Sequence, residues 1–240
     1  MIAQFDNRTM SFAPKISVIL PTLNAQDTLA SCLSALVPAC LAGRIKEVIL
    51  ADGGSTDATL AIAEDAGARI VQGPACRGGQ MAQGAAMATS EWLLFLHADS
   101  VLSPEWLTDA ETFMRQAEGR ELAAAFHLRF DDASRQARRV EFWVDLRSRR
   151  LGLPYGDQGL LISRDLYARL GGHPKLELME DVALVRRIGR RNMRILPADI
   201  TTSAIKYRRD GWRKRTWRNL FLVIRFYLGE DPGRLAKEYH

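Results

Sequence analysis

The chain has 240 residues, of which 47% are hydrophobic and 25% are charged, and this composition predicts a globular protein with one sizeable core. Three cysteines without metal-ligand spacing argue against a disulfide framework, no apolar run is long enough to span a bilayer, and residues 1–14 lack the apolar core of a signal peptide. We therefore expect a cytoplasmic protein, and its net charge of +5 allows a nucleotide, nucleic acid or lipid headgroup as an anionic partner.

The first half of the chain alternates short apolar segments with amphipathic ones. The apolar segments predict buried strands, and the segments between them predict helices. The predicted strands are Lys15–Pro21, Glu47–Asp52, Arg69–Gln72 and Leu93–Leu96, and the predicted helices run over about 25–41, 56–66 and 77–89. This alternation is typical of a doubly wound parallel sheet.

Polar side chains follow three of these strands where each one ends. Thr22 and Asn24 follow the first strand, Asp52 ends the second, and His97 and Asp99 follow the fourth. Ligands of open parallel sheets bind at this edge, and a carboxylate beside an imidazole suits a divalent cation that also binds phosphate oxygens. The residues alone leave open that Asp99 only caps the turn before the next helix.

The second half of the chain changes character. We predict helices over about 103–118, 134–150 and 178–190, a brief helix ending at Gly171-Gly172, and strands over 122–130, 160–163 and 193–197. A loop rich in glycine and proline spans 152–159. No repeat or low-complexity linker divides the chain, so we predict one domain over 15–210, an N-terminal extension over 1–14, and a C-terminal amphipathic helix and tail over 211–240.

Two common nucleotide-binding motifs are absent. A dinucleotide site needs Gly-x-Gly-x-x-Gly after the first strand, where this chain has Pro21-Thr22-Leu23-Asn24-Ala25. A P-loop needs Gly-Lys followed by Ser or Thr, which Arg77-Gly78-Gly79 does not supply.

Three segments resemble the family 2 glycosyltransferases of GT-A fold. They are Ser17–Asn24, Ala51–Asp57, which is the most specific, and Phe95–Asp99, and the resemblance runs from about Lys15 to about Gly189. It implies an α/β fold with a mostly parallel central sheet flanked by helices. The compact chain and its segment Gly156-Asp157-Gln158-Gly159 more narrowly resemble the transferases called radical-SAM/selenodomain-associated transferase 2.

The resemblance implies a metal-dependent, inverting transfer of a sugar from a nucleotide-sugar donor to a hydroxyl acceptor. The implied donor-binding residues follow the strands and the third helix start: Pro21, Thr22, Asn24, Asp52, Gly53, Arg77, His97, Ala98 and Asp99. Asp99, with His97, would hold Mn²⁺ or Mg²⁺ against the diphosphate. The histidine in place of the wider family's first aspartate either weakens the metal site or favours Mn²⁺ over Mg²⁺. The residues alone leave open two structural alternatives: Asp52 only forms a turn before Gly53-Gly54, and Arg77 is only a solvated side chain.

Glu180 and Asp181 match the family's Glu-Asp pair at a helix start, and by that resemblance Asp181 is the catalytic base. Adjacent helical side chains diverge by about 100°, so we expect only one to point into the site, with Glu180 binding the acceptor or orienting a neighbour. Asp157 and Gln158 are expected to shape the acceptor site. A purely structural alternative is that both acids only stabilise the start of the helix through their interaction with the helix dipole.

The C-terminal segment carries an apolar stripe at helical spacing over 217–228, preceded by basic residues. Two interpretations stay open: the stripe packs on the domain or forms a homodimer contact, or it is an interfacial helix that brings the site to a lipid-linked acceptor at the inner face of the membrane. Basic residues interleaved with Trp212 and Trp217 suggest instead a non-catalytic nucleotide- or nucleic-acid-binding protein. The carboxylates at the strand ends argue against nucleic acid.

Overall fold

The computed structural model describes residues 15–239, so the predicted N-terminal extension over 1–14 lies outside the described residues. Within 15–239 the strands are β1 Ile16–Thr22, β2 Ile45–Asp52, β3 Arg69–Gln72, β4 Trp92–Phe95, β5 Ser100–Leu102, β6 Ala123–Phe130, β7 Leu160–Ser163 and β8 Met193–Thr202. The helices are α1 Gln26–Leu41, α2 Thr59–Asp65, α3 Arg77–Met87, α4 Trp106–Gln116, α5 Arg135–Leu151, α6 Arg164–Arg169, α7 Glu180–Ile188, α8 Ile205–Asp210, α9 Trp212–Tyr227 and α10 Pro232–Tyr239.

All eight strands form one sheet in the order β3-β2-β1-β4-β7-β6-β8-β5. β1 to β4 are mutually parallel where they pair, β6 is parallel to β8, and only β7 and β5 run against their neighbours. This confirms the predicted α/β fold with a mostly parallel central sheet. Because β1, β2 and β4 are adjacent and parallel, their carboxyl ends meet at one edge of the sheet.

Both faces of the sheet are covered, which explains why its central strands are continuously apolar. Val18 and Leu20 pack on one side with helices α1, α4 and α5, whereas Ile19 packs on the other with α3, α6 and α7. All three side chains have no exposed surface. A strand buried on both faces shows no alternation of apolar and polar residues.

The structure adds elements that the sequence pattern does not show. The three residues of β5 pair with Ile200–Thr202 of β8, which extends five residues beyond the predicted end at Pro197. A three-residue strand has no measurable periodicity, and its extended conformation depends on a partner about 100 residues away. Helices α8 and α10, of six and eight residues, are likewise too short for a periodicity to be recognised in the sequence.

The C-terminal helices are packed onto the rest of the molecule. Tyr207 of α8 and Trp212 of α9 stack on each other, and both rings meet Phe130 of β6 edge to face. Farther along, the inner face of α9 buries Leu222 and Val223 in a cluster with residues of α7 and α10. None of the helices within 15–239 has the length and apolar character that crossing a membrane requires.

Candidate active site

A cavity of about 160 Å³ lies at the edge of the sheet where β4 ends. Its wall is formed by the turn after β4, the start of α3, the loop before β7, the start of α7, the carboxyl ends of β6 and β8, and helices α8 and α9. Its polar lining includes the following residues: Arg77, His97, Asp99, Asp157, Glu180, Asp181, Lys206, Arg215 and Asn219.

His97 and Asp99 enter the cavity from a tight turn. β4 ends at Phe95, and the backbone N–H of Ser100 donates to the carbonyl of His97 at 3.1 Å, which closes the turn. Oδ1 of Asp99 is buried yet accepts no hydrogen bond from the described part of the chain. A buried carboxylate oxygen without a donor is unfavourable unless a ligand occupies it, which makes it suitable for a cation.

Asp157 provides a second such oxygen in the same cavity. Its Oδ1 is also buried and unpartnered within the described residues. Burial raises the pKa of Asp157; Arg147 opposes this effect, and the nearby Asp181 carboxylate reinforces it. Within residues 15–239, however, no three side chains form a preassembled metal-ligand cluster. A cation bound here would therefore complete its coordination with substrate oxygens and water.

The imidazole of His97 lies against Arg77. Nε2 of His97 contacts Nη2 of the Arg77 guanidinium. Burial lowers the pKa of His97 well below its usual value, and the positive charges of Arg77 and Lys206 lower it further. In this geometry the lone pair on Nε2 of the neutral ring accepts from the Arg77 guanidinium, so His97 would have to exchange that contact in order to bind a metal through Nε2.

Arg77 connects this turn to α7. Its Nε lies 2.8 Å from Oε1 of Glu180, a side chain that is only 1% exposed. Burial raises the pKa of Glu180 to about 7, the positive charge of Arg77 opposes the shift, and the adjacent Asp181 adds to it. Glu180 is thus a positioning residue for Arg77 in this geometry.

Both acids at the start of α7 belong to the cavity wall, and the expectation that only one of the two carboxylates points into the site stays a prediction. They belong to the first turn of the helix, whose end, rather than its side, faces the cavity. Asp181 accepts hydrogen bonds from the backbone N–H of Gly156 to Oδ2, at 2.5 Å, and from that of Val182 to Oδ1, at 2.7 Å. The preceding Met179 adopts a left-handed backbone, φ 66°, which few residues other than glycine accept.

Gly156 is a site residue that the sequence does not single out. A Cβ at this position would lie 2.6 Å from Nη2 of Arg77, 2.8 Å from Nε2 of His97 and 3.0 Å from Oδ2 of Asp181. Only a residue without a side chain lets these three groups converge. The glycine-rich loop was visible in the sequence, but nothing in it showed which glycine faces the site.

Thr22, Asn24 and Asp52 form a second cluster, beside the cavity rather than in its wall. Asp52 is fully buried, and four donors occupy its carboxylate: the hydroxyls of Thr22 and Ser55, and the N–H groups of Gly54 and Ser55. Burial acts to raise the pKa of Asp52, but these hydrogen bonds outweigh it and hold the pKa below its usual value. This is the turn-forming arrangement that the sequence left open, and contact of Asp52 with a nucleotide stays a prediction.

The remaining predicted residues of this region differ in their surroundings. Asn24 holds a left-handed backbone, φ 51°, and its Oδ1 accepts from the N–H of Thr56 at 2.9 Å. Pro21 pairs with Ala51 in the sheet, the N–H of Gly53 donates to the carbonyl of Thr22, and Ala98 is buried in the core. These groups fix the strand ends. The cavity wall does not include Pro21, Asn24, Gly53 or Ala98.

Gln80 ties the two clusters together and was missed by sequence reasoning. Its Nε2 donates to the carbonyls of Thr22, at 2.8 Å, and Ala51, at 2.7 Å. Arg77 and Gln80 are three residues apart in the first turn of α3 and so lie on the same face of the helix, which brings the cavity and the Asp52 cluster next to each other along that turn. No sequence signal distinguishes this glutamine from a solvated one.

Gln158, predicted to contact the acceptor, lies outside the cavity wall. It is 1% exposed; its Oε1 accepts from the hydroxyl of Ser148 at 2.8 Å, and its Nε2 donates to the carbonyl of Phe126 at 3.0 Å. The side chain anchors the loop that presents Gly156 and Asp157. A role in acceptor contact has no support in this geometry.

The aromatic residues that suggested nucleic-acid binding are partly explained by packing. Tyr207 and Trp212 stack against each other and Phe130, and Arg215 is buried, with Nη1 2.7 Å from Oδ2 of Asp210. Rings held in this way do not offer faces on which bases can stack.

Gly78→Ala should destabilise the cavity wall. A Cβ at Gly78 would lie 2.0 Å from the carbonyl oxygen of Pro174, in the segment that leads to α7, whereas a Cβ at Gly79 would meet only Cys76, at 3.5 Å. We expect Gly78→Ala to lower the free energy of unfolding by about 1–3 kcal/mol. Gly79→Ala is the matched control and should leave stability unchanged or slightly raised. Urea denaturation measures both, and equal effects would contradict the packing.

Glu180→Gln should change how stability depends on pH. Because the pKa of Glu180 is raised in the folded protein, the folded state holds this proton more tightly than the unfolded chain does. The contribution to stability is complete below the unfolded pKa of about 4.5 and is lost as pH rises through about 7. We therefore expect the variant to gain stability relative to the native protein between about pH 5 and pH 8.

The control for this experiment is Glu177→Gln, which changes an exposed glutamate three residues earlier. Its stability should follow the native pH dependence. Parallel curves for Glu180→Gln and the native protein in urea denaturation would show that Glu180 is ionised throughout this range.

Comparison with known proteins adds a family match and several relatives. Residues 17–167 match the model of glycosyl transferase family 2. A PGL/p-HBAD biosynthesis glycosyltransferase of Mycobacterium bovis BCG is 38% identical over 112 residues, which are 44% of this chain and 41% of that protein. A glucosyl-3-phosphoglycerate synthase of Mycolicibacterium smegmatis is 43% identical over 56 residues, 23% of this chain and 18% of that protein. The chain thus spans less than half the length of these relatives.

Two solved structures share the fold. S. aureus TarS in complex with UDP has a TM-score of 0.61 at 19% identity, over 79% of this chain and 61% of that one. Glucosyl-3-phosphoglycerate synthase from Mycobacterium tuberculosis, in complex with Mn²⁺ and UDP-glucose, has a TM-score of 0.57 at 22% identity, over 79% of this chain and 70% of that one.

Proposed function

The chain belongs to glycosyl transferase family 2, and from this premise we propose that it transfers a sugar from a nucleotide-sugar donor to a hydroxyl acceptor with inversion at the sugar carbon. The observation that carries the proposal is the cavity, which brings Arg77, His97, Asp99 and Asp181 together at the edge of the sheet. Support comes from relatives named as glycosyltransferases and from the solved structures with UDP or UDP-glucose. The narrower resemblance to the radical-SAM/selenodomain-associated group stays a prediction.

The donor is proposed to lie across the first turn of α3. Its nucleoside would occupy the Asp52 cluster with Thr22 and Asn24, and its diphosphate would reach the cavity beside Arg77. The geometry supports this because Gln80 contacts the Asp52 cluster through Thr22, and Arg77, on the same helical turn, lines the cavity. A guanidinium and the N-terminal end of a helix both favour a diphosphate.

Asp99 and His97 are the proposed ligands of Mn²⁺ or Mg²⁺. Asp99 fits a cation because its buried Oδ1 lacks a hydrogen-bond donor within the described residues. His97 would join it by exchanging the contact of its Nε2 with Arg77 for the metal. A divalent metal at this place supplies Lewis-acid stabilisation of the negative charge on the departing diphosphate. Arg77 adds a fixed positive charge at the same end of the cavity.

Asp181 is the proposed general base. As the bond from the sugar carbon to the diphosphate oxygen breaks, a bond forms from that carbon to the acceptor oxygen, and the hydroxyl proton passes to Asp181. The diphosphate leaves with the bonding electron pair. The hydrogen bond from the Gly156 N–H supports this role because it holds the Asp181 carboxylate in one orientation. Asp157, which lines the same cavity, is the proposed acceptor contact.

The test is calorimetry with UDP, GDP and a short single-stranded oligonucleotide, each with and without Mn²⁺. We expect a nucleoside diphosphate to bind more tightly with Mn²⁺ and the oligonucleotide to bind weakly or not at all. Metal-dependent hydrolysis in a panel of nucleotide-sugars would then identify the donor. Tight oligonucleotide binding without nucleotide binding would favour nucleic acid, and nucleotide binding without hydrolysis or transfer would favour a non-catalytic protein.

A further inference from the structure

Helix α9 has two apolar faces, and the fold covers only one of them. Leu222 and Val223 are buried against α7 and α10. The other face carries the stripe noted in the sequence, and all of its members are exposed: Trp217, Leu220, Phe221, Ile224 and Leu228. The indole of Trp217 is 67% exposed, more than a side chain of that size usually is.

Helix α5 packs beside α9 and adds to this exposed area. Its adjacent residues Phe142 and Trp143 are 61% and 58% exposed, with their rings 5.7 Å apart. We name these seven apolar residues of α5 and α9 the α5–α9 surface. Exposed aromatic side chains on two neighbouring helices are unusual for a face that meets only water.

The charges around the α5–α9 surface are mainly positive. Arg213 and Lys214 lie exposed in the first turn of α9, where the stripe begins. On α5, Arg139 and Arg150 are exposed on either side of the aromatic pair, whereas the acidic Glu141 is buried. Aromatic residues surrounded by arginine and lysine match the boundary of an anionic bilayer, where rings enter the headgroup region and cations meet phosphates.

A second copy of the chain fits this surface less well. A two-fold symmetric contact uses the same patch of both copies, so Arg213, Lys214 and Arg139 of both copies would be brought into one interface. The acidic residues of the two helices and their surroundings are already paired, Asp145 with Arg149, and Glu230 and Glu238 with Arg225. Anionic headgroups would supply the negative charge that Arg213, Lys214 and Arg139 attract.

The opposite face of α9 lines the candidate active site. Arg215, Asn219 and Leu222 belong to the cavity wall, and Trp217, Leu220 and Phe221 lie between them in sequence but face outward. The cavity and the α5–α9 surface are therefore separated by a single helix, about 10 Å across.

We propose that the α5–α9 surface docks the protein on an anionic lipid bilayer and so presents the cavity to an acceptor hydroxyl carried by a lipid. The docking stands on the exposed residues alone, whereas the lipid acceptor rests on the proposed function. The two parts fail separately: vesicle binding tests the first without any donor, and nucleotide calorimetry tests the function without any lipid.

The experiment is co-sedimentation of the full chain with vesicles of phosphatidylcholine, alone or mixed with phosphatidylglycerol, at low and high salt. We expect binding only to the mixed vesicles and a loss of binding as salt screens the charges. The double variant Trp217→Ser/Phe221→Ser should weaken vesicle binding by at least about tenfold. Nucleotide binding should stay unchanged, since neither residue lines the cavity.

Two further variants complete the design. Arg213→Glu/Lys214→Glu should abolish the preference for phosphatidylglycerol while circular dichroism stays native. Leu41→Ser removes an even more exposed apolar side chain from α1, and this variant should bind vesicles like the native chain. Deleting residues 217–240 is a poor test, because it would also remove Leu222, Val223 and a part of the cavity wall.

No binding of the native chain to phosphatidylglycerol vesicles at low salt would overturn the proposal. So would binding that the Trp217→Ser/Phe221→Ser variant retains in full. A concentration-dependent dimer in sedimentation equilibrium, lost in that variant and accompanied by no vesicle binding, would assign the surface to a second copy instead.

Discussion

Asp181→Asn should lower turnover by about 10²–10⁴-fold while leaving nucleotide binding nearly unchanged. An amide keeps the size of the carboxylate, but it has one acceptor oxygen and can keep only one of the hydrogen bonds from the Gly156 and Val182 N–H groups. It cannot take the proton of the acceptor hydroxyl. The loss should therefore appear in kcat rather than in the affinity for the donor. Steady-state kinetics with the identified donor, together with calorimetry on the same preparation, measures both quantities.

Glu180→Gln is the matched control for that variant. Glu180 lies one residue away in the same helix turn, but its carboxylate faces Arg77, so its loss should reduce turnover less. An inactive Glu180→Gln variant and an active Asp181→Asn variant would show that Glu180 is the base and Asp181 the positioning residue. Equal, severe losses of nucleotide binding in both variants would instead indicate that α7 shapes the donor site.

Asp99→Asn should weaken Mn²⁺-dependent binding of the nucleoside diphosphate by about 10²-fold or more, with little effect on the fold. The substitution removes the charge of the only carboxylate in the turn after β4, and a neutral amide is a poorer ligand for a hard divalent cation. Oδ1 of Asp99 makes no hydrogen bond within the described residues, so few native contacts are lost. Calorimetry with and without Mn²⁺ measures the effect, and thermal unfolding checks the fold.

His97→Asp is the informative comparison for Asp99→Asn. It restores the pattern of two aspartates that the wider family carries, and Arg77 provides a positive charge beside the new carboxylate. We expect this variant to keep metal-dependent binding and to accept Mg²⁺ more readily. A metal dependence that Asp99→Asn leaves unchanged would remove Asp99 from the metal site.

The sequence by itself determined most of the fold because the central strands are buried on both faces. Continuous apolar runs such as Val18–Leu20 can be stable only in the interior, and the helices between them require parallel strands. It did not determine β5, since three residues acquire strand geometry only from their pairing with β8. The local sequence therefore determined the central strands and the helices that cover them, whereas the edge strand β5 depends on its distant partner β8.

For the candidate site, the sequence determined which residues end up near the edge of the sheet, because strand ends and a helix start are local features. Only the tertiary structure decided that Asp99 and Asp181 share a cavity, that four protein donors occupy Asp52, and that Gln158 faces the interior. It also showed Gly156 at the point where three side chains meet. These contacts join segments far apart in the chain, and no spacing in the sequence encodes them.

The C-terminal helix shows the same division. Its three-and-four spacing identified Trp217, Leu220 and Phe221 as one apolar face, because helical geometry depends only on neighbouring residues. Whether that face is covered depends on the other elements. The structure covers the face of Leu222 and Val223 instead, places Arg215 in the cavity wall, and leaves the Trp217 face open. Periodicity defines a face, whereas burial of that face is a property of the whole fold.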